Sequence, residues 1–312
     1  MVGAVDWIEA IGYQHEPLHA GALAIVLADA ESRLAVAETL FDHPVRRVDD
    51  PLRERRIGPN RRRPVDVLLK AESSTGAAVR LGVEVKVDSA WSPRQLTEEV
   101  GPDDTGLLLA LGCTALAVQD DDLPRGWRLM GPKGWAELLR RHGSQITELD
   151  RYRGHVEREA AGHADALRLV AAGDRVRGER TGITLEHWAY FHEVRRNAGG
   201  LDVDWERKTL ISGPLLTLWL RNPPGAYIEL MAIGERRELC VKCWPDGRSL
   251  LSIRAELVER LHDLPGMEGA REVRPAKPTA KSCTALAKPL EGVLPSEAAK
   301  MCGQIAAALA VP

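Results

Sequence analysis

The chain has 312 residues, 44% of them hydrophobic, and 42 Lys and Arg against 45 Asp and Glu give a formal net charge of −3. That length can bury two ordinary cores, and no run approaches the ~18 consecutive apolar residues that a membrane-spanning helix needs. The balanced charge excludes a chain that is basic throughout, so any surface for a polyanion has to be local.

Met1 to His15 lacks the basic start and apolar run of a secretory signal, which predicts a cytoplasmic protein that does not engage a membrane. The cysteines at 113, 240, 243, 283 and 302 are too few and too scattered for a disulfide framework, and reduced thiols are predicted. From Glu16 to Phe41 the apolar residues recur at helical spacing, with Pro17 suited to a first turn. A long helix interrupted near Asp29 is expected. Eight arginines then fall between Arg46 and Arg63, against Asp49, Asp50 and Glu54. This segment reads either as a solvated loop or as a phosphate-contacting surface, with Arg61, Arg62 and Arg63 nearest the strand that follows.

Pro64 to Leu69 and Val79 to Val87 read as two strands joined by the turn-like cluster Glu72-Ser-Ser-Thr-Gly76. Ser92-Pro-Arg-Gln95 looks like a helix start, with serine as N-cap and proline at the first helical position. Gly106 to Leu111 and Thr114 to Val118 have strand length. Trp127 to Met130 leads through Gly131-Pro132 into a helix from Trp135 to Arg141. This order predicts an α/β layer arrangement. A helix from Tyr152 to Ala172 ends in the polar, glycine-rich stretch 173–182, where the domain boundary is placed, giving domains 1–174 and 183–312. In the second, Pro214 to Leu220, Tyr227 to Ile233 and Glu238 to Trp244 read as a β-meander and Ser249 to Leu261 as a helix. Arg271 to Leu290 is expected to be irregular and Ser296 to Leu309 helical, making an α+β domain.

The chemistry concentrates in the first hairpin. Residues two apart on a strand share a face, so Glu84 and Lys86 in Val83-Glu-Val-Lys-Val87 project together while the valines face the core. If the turn is centred on Thr75, Asp66 lies opposite Glu84, with Cβ atoms about 5 Å apart. Two carboxylates and one ammonium on a surface of apolar strands favour a cation between the acids. Mg²⁺ suits carboxylate and water oxygens and leaves positions for a phosphate. The plainer alternative is an exposed strand face bearing ordinary charges.

Pro64-Val65-Asp66, followed after seventeen residues by Glu84-Val85-Lys86, resembles the split signature of the PD-(D/E)XK nucleases. The resemblance spans roughly residues 10–140 and is clearest from Pro64 to Leu96. It implies a restriction-endonuclease-like core, a mixed central sheet flanked by helices, in which Asp66 and Glu84 bind the metal and Lys86 assists the attacking water. An acidic residue on the first helix often completes such a site. Glu16, in His15-Glu-Pro-Leu-His19, is similar to that helix-opening glutamate, with Glu31 and Glu38 as competitors. Gln95 resembles the glutamine that many members carry after the lysine strand, although it could equally complete a capping box with Ser92.

What the resemblance implies is a Mg²⁺-dependent deoxyribonuclease, with Mn²⁺ able to substitute, endonuclease rather than exonuclease, in bacterial restriction, defence or DNA repair. RNA as substrate and a homodimer stay open. The alternative is a catalytically silent DNA-binding or assembly module, against which the intact Asp-Glu-Lys set argues. Other motifs are weaker. Cys240-Val-Lys-Cys243 has zinc-like spacing but lies in an expected strand, where residues three apart face opposite sides. His15 and His19 could share a metal-binding helix face, Trp91 could stack on a base or fill the core, and no glycine-rich phosphate loop is present.

Overall fold

The computed structural model describes residues 8, 12–30, 32–42, 44–55, 65–89, 93–99, 104–176, 180–199, 201, 203–210, 213–220, 225–245, 247–273 and 282–310. The chain forms two compact units, Met1–Gly162 and His163–Pro312.

The first unit begins with α1 (Glu16–Ala28) and α2 (Arg33–Phe41), separated at the expected place. Asp29 causes the break: its backbone is extended, and its carboxylate accepts both the backbone N–H and the hydroxyl of Ser32. Such local bonding offers the backbone an alternative to the helix. The short strands β1 (Val45–Val48) and β2 (Leu52–Arg55) both pair antiparallel with β3 (Val65–Ser73). β3 turns back into β4 (Ala78–Val87). Gly76 takes the positive φ of 86° that this turn requires. α3 (Pro93–Glu99), β5 (Thr105–Leu111), α4 (Cys113–Ala117), β6 (Trp127–Met130), α5 (Pro132–His142) and α6 (Asp150–Ala171) follow. The β4–β5 and β5–β6 pairs are parallel, so the sheet is mixed, and it is flanked by helices.

The hairpin register is the expected one. Val67 faces Val83 and Glu72 faces Ala78, pairs equidistant from Thr75. One sheet face, with Val67, Leu69, Val83, Val85, Leu107 and Leu109, packs with residues of α1, α2, α5 and α6. The other, with Leu68, Leu108 and Ala110, packs with Leu96 of α3 and with Trp127. Each fully buried aliphatic side chain contributes roughly 1.5–3 kcal/mol. Burial on both faces explains why Thr105-Gly-Leu-Leu-Leu-Ala-Leu111 is an unbroken apolar run. Gly106 is needed there, because a Cβ would lie 2.3 Å from the Trp127 ring.

Two buried side-chain chains tie α1 and α6 into this unit. Trp135 Nε1 donates to the Tyr152 hydroxyl at 2.7 Å. The His19 ring bridges that hydroxyl and the carbonyl of Tyr13, at 2.7 Å to each. A carbonyl only accepts, so Nε2 carries the proton and Nδ1 accepts from Tyr152. Burial accordingly pushes His19 down to about 4. The pairing of His15 with His19 as one metal face is therefore not realised. Glu159 of α6 accepts the Tyr13 hydroxyl at 2.6 Å and the Gly112 amide at 2.5 Å.

The second unit holds α7 (Arg180–Asn197), β7 (Val203–Leu210), β8 (Gly213–Leu220), β9 (Ala226–Ile233), β10 (Arg236–Cys243), α8 (Leu250–Leu261), β11 (Arg271–Glu272), β12 (Cys283–Pro289) and α9 (Pro295–Ala310). Its sheet is antiparallel throughout, in the order β11-β12-β10-β9-β8-β7. α7 packs on β8, α8 on β10 and β12, and α9 on α7.

Three expectations are corrected. The run 114–118 lies mostly in helix α4, not a strand, since an apolar run of that length carries no decisive periodicity. The stretch 271–290 contains β11 and β12, because pairing with β10 imposes a strand on the weakly β-prone Thr-Ala-Leu-Ala-Lys. α7 and β7 fill 180–210, where no element was foreseen. The unit division falls inside α6, between Gly162 and His163, so the helix from His163 to Ala171 lies in the second unit, where Val170 lines a small cavity with Tyr190, Val293 and Leu294.

Candidate active site

β3 and β4 deliver the acids and the lysine. Asp66 Oδ2 accepts the backbone N–H of Val85 at 2.8 Å, which anchors the side chain across the strand pair. Lys86 Nζ lies 2.7 Å from Glu84 Oε1 and 3.5 Å from Glu16 Oε2. Glu16 opens α1, with proline behind it in the first turn. A second bond holds it, since Ser89 Oγ donates to Glu16 Oε1 at 2.5 Å. Of the two competitors, Glu38 instead accepts the Val45 amide at 3.4 Å, and Glu31 lies outside the described residues.

Ser89 is positioned by a tight exit from β4. Asp88 adopts φ 51°, a left-handed conformation that aspartate tolerates better than most side chains, and its carboxylate accepts the Cys113 amide at 2.6 Å. Ser89 N donates to Thr114 Oγ1 at 3.1 Å. The start of α4 therefore fixes the serine that fixes Glu16. Neither Ser89 nor this link is visible in the sequence pattern.

α3 closes the same sheet face. Gln95 Nε2 lies 3.2 Å from Glu84 Oε1 and 2.8 Å from Glu99 Oε1. Gln95 thus touches Glu84 directly, while Ser92, its expected capping partner, lies outside the described residues. Glu99 was not anticipated. It is 1% exposed, and its only sequence signal is the four-residue spacing from Gln95 on a helix.

This is not an exposed strand face. Glu84 is 4% exposed and Lys86 8%, with Gln95 of α3 against Glu84 and Glu16 of α1 beside Lys86. Burial pushes Glu84 up to about 8, with Asp66 and Glu99 adding to the shift and Lys86 opposing it. Burial also raises Asp66, against the Val85 hydrogen bond and Lys86. Lys86 is raised in spite of its burial, since Glu84, Glu16 and Asp66 all favour its charge. One ammonium serves several carboxylates, so without another cation the cluster retains a proton near neutral pH.

The donor set fits a hard divalent cation. Glu84 Oε2 is buried with no hydrogen-bond partner among the described residues, and buried carboxylate oxygens are rarely left so. Among the described residues no three His, Cys, Asp or Glu side chains enclose a metal position by themselves. Mg²⁺ is nonetheless commonly held by one or two carboxylates together with water and substrate phosphate. Asp66 and Glu84 would hold it, with Glu16 beside them.

No protein-family model, no curated protein and no solved structure matches the chain.

Of the other sequence candidates, Arg61, Arg62, Arg63 and Trp91 lie outside the described residues. Arg53, from the same arginine-rich segment, approaches Asp66 closely enough to lower its proton affinity, and its guanidinium lies 3.4 Å from the Pro17 carbonyl. Cys240 and Cys243 do not act as a pair. Cys243 instead faces Cys283 across β10 and β12, with sulfurs 3.4 Å apart, and all five cysteines are free thiols. None of the described helices is long and apolar enough to cross a membrane.

Proposed function

We propose that this chain is a metal-dependent nuclease that hydrolyses DNA phosphodiester bonds, endonucleolytically rather than from ends, built on a restriction-endonuclease-like core. The observation that carries the reading is the convergence of Asp66, Glu84, Lys86 and Glu16 at one place on the sheet, with a buried carboxylate oxygen left for a cation. The sequence resemblance of Pro64-Val65-Asp66 and Glu84-Val85-Lys86 supports it, as does a helix–hairpin–helix–strand order with β4 and β5 parallel.

In this reading Asp66 and Glu84 hold Mg²⁺ or Mn²⁺, which when bound polarises the phosphoryl group and lowers the pKa of a water. Lys86 supplies a fixed positive charge where negative charge develops on the phosphate, in a largely desolvated setting where such a charge acts strongly. Glu16 and Glu84 hold that ammonium from two sides and fix its direction. Gln95 keeps one oxygen of Glu84 occupied. The alternative of a silent binding module would need none of these side chains to be intact.

The test is purified protein incubated with plasmid, linear and single-stranded DNA and with RNA, each in EDTA, Mg²⁺ and Mn²⁺. Metal-dependent cleavage of circular DNA that is lost in Asp66→Asn supports the reading. Cleavage of RNA alone would reassign the substrate, and cleavage insensitive to Asp66→Asn or to EDTA would overturn the site.

A further inference from the structure

We propose that Glu99 is a positioning residue for the Glu84 carboxylate, acting through the Gln95 amide. This role deepens the nuclease reading and rests on it for its activity readout, while its geometry concerns only how Glu84 receives a cation.

The two ends of a glutamine amide are nearly alike in shape, and their neighbours decide which way the group points. Gln95 Nε2 donates to Glu99 Oε1 at 2.8 Å and lies 3.2 Å from Glu84 Oε1. A carboxylate only accepts, so Glu99, the nearer acid, acts with Glu84 to select the orientation in which the NH₂ faces both. The flipped amide would turn its carbonyl oxygen towards two carboxylates. With the NH₂ in place, Glu84 Oε1 receives both Gln95 and Lys86, at 2.7 Å from the latter. Glu84 Oε2 is left without a hydrogen-bond partner among the described residues. The line from Glu99 through Gln95 therefore acts with Lys86 to set which oxygen of Glu84 faces a cation.

A merely structural role fits this position poorly. Glu99 is buried beside another buried carboxylate, and well-packed apolar residues in such places are often neutral or stabilising. An apolar side chain would pack under α3 without the repulsion, but it would remove the nearer of the two carboxylates that the Gln95 NH₂ faces.

The experiment compares full-length wild type, Glu99→Leu, Glu99→Gln, Gln95→Leu and the Gln95→Leu/Glu99→Leu double variant by calorimetric Mn²⁺ titration and by steady-state cleavage. Thermal melts establish that each is folded, and Glu99→Met replaces Glu99→Leu if the latter is not. Glu99→Leu should weaken Mn²⁺ binding by about 10-fold or more and lower kcat while KM for DNA stays unchanged. Glu99→Gln, which keeps a carbonyl acceptor, should recover most of both. The double variant should be no worse than Gln95→Leu alone, since both changes break one line. Wild-type Mn²⁺ affinity in Glu99→Leu, or losses that multiply in the double variant, would overturn the proposal. Wild type that binds Mn²⁺ but cleaves no nucleic acid refutes the nuclease reading and leaves the Mn²⁺ comparison decisive for Glu99. Wild type that binds no Mn²⁺ overturns both.

Discussion

Asp66 Oδ2 accepts the backbone amide of Val85 at 2.8 Å, so one of its oxygens is committed to the neighbouring strand. Asp66→Asn keeps the shape but makes that bond depend on which amide end faces Val85, and it removes a ligand charge. Cleavage by Asp66→Asn, and likewise by Glu84→Gln and Lys86→Ala, should fall by orders of magnitude in the presence of Mg²⁺. Wild-type turnover in any one of them would remove that residue from the proposed site.

Lys86 and Glu84 should also matter for stability. Because both are buried, Glu84→Ala strips the ammonium of its nearest partner and, at a pH above about 8 where Glu84 is ionised, should cost about 3 kcal/mol, far more than a surface ion pair. Urea denaturation in EDTA measures this, and a change within about 0.5 kcal/mol would mean that the pair is solvated.

His19 makes the first unit sensitive to acid. Its folded value of about 4 lies below its ordinary 6.5. In between, the unfolded chain takes up a proton that the folded chain refuses. Stability is therefore lost as pH falls through that window, by up to about 3 kcal/mol. Glu84 has the opposite sign in metal-free protein. Its folded value of about 8 lies above its ordinary 4.5, so its contribution grows as pH falls between those values. The two slopes oppose each other where the windows overlap. The His19 contribution is accordingly read as the difference between wild type and His19→Gln in denaturation curves taken across that range. A difference that does not change with pH would exclude a buried neutral His19.

All proposed ligands lie in the first unit. A truncated chain ending at Asp174 keeps α6 whole and should fold and bind Mn²⁺, with cleavage reduced or unregulated, while the second unit should fold on its own core. Calorimetric titration with Asp66→Ala as blank checks this. A folded truncated chain that binds no Mn²⁺, when the full chain does, would mean that the second unit completes the site.

Replacing Arg61, Arg62 and Arg63 with alanine should weaken DNA binding more than chemistry. For every phosphate that an arginine no longer neutralises, the slope of log affinity against log salt should flatten by about 0.9. Fluorescence anisotropy at several salt concentrations measures the slope, and an unchanged value would make the segment a solvated loop.

The core of the site was legible because strand geometry is local. Val83-Glu-Val-Lys-Val87 fixes the facing of Glu84 and Lys86, and the Ser73 to Gly76 cluster fixes the register that brings Asp66 across. Glu16 was legible as a helix opening. What surrounds these residues was not. Glu99 and Ser89 gain their roles from where α3 and α4 pack, which no local period encodes. The burial of Glu84 and Lys86 likewise depends on α3 and α1 bringing Gln95 and Glu16 to a face that alternation alone would leave to solvent. In the second unit, β12 exists because β10 offers it a partner, and its own composition would not have made a strand.

The hairpin imposes a parity rule on how this protein can vary. Asp66 and Glu84 stand equally far from Thr75, one step beyond the Val67–Val83 pair of a ladder without a bulge, and so come to the same face. Inserting or deleting one residue inside a single arm, between Asp66 and Glu72 or between Ala78 and Glu84, would move the two acids to opposite faces of the sheet unless a bulge restores the phase. An extra residue in the Ser73 to Ala77 turn is taken up by the loop and should leave their meeting intact. One-residue changes within an arm thus offer a way to disarm the site without altering any of its side chains.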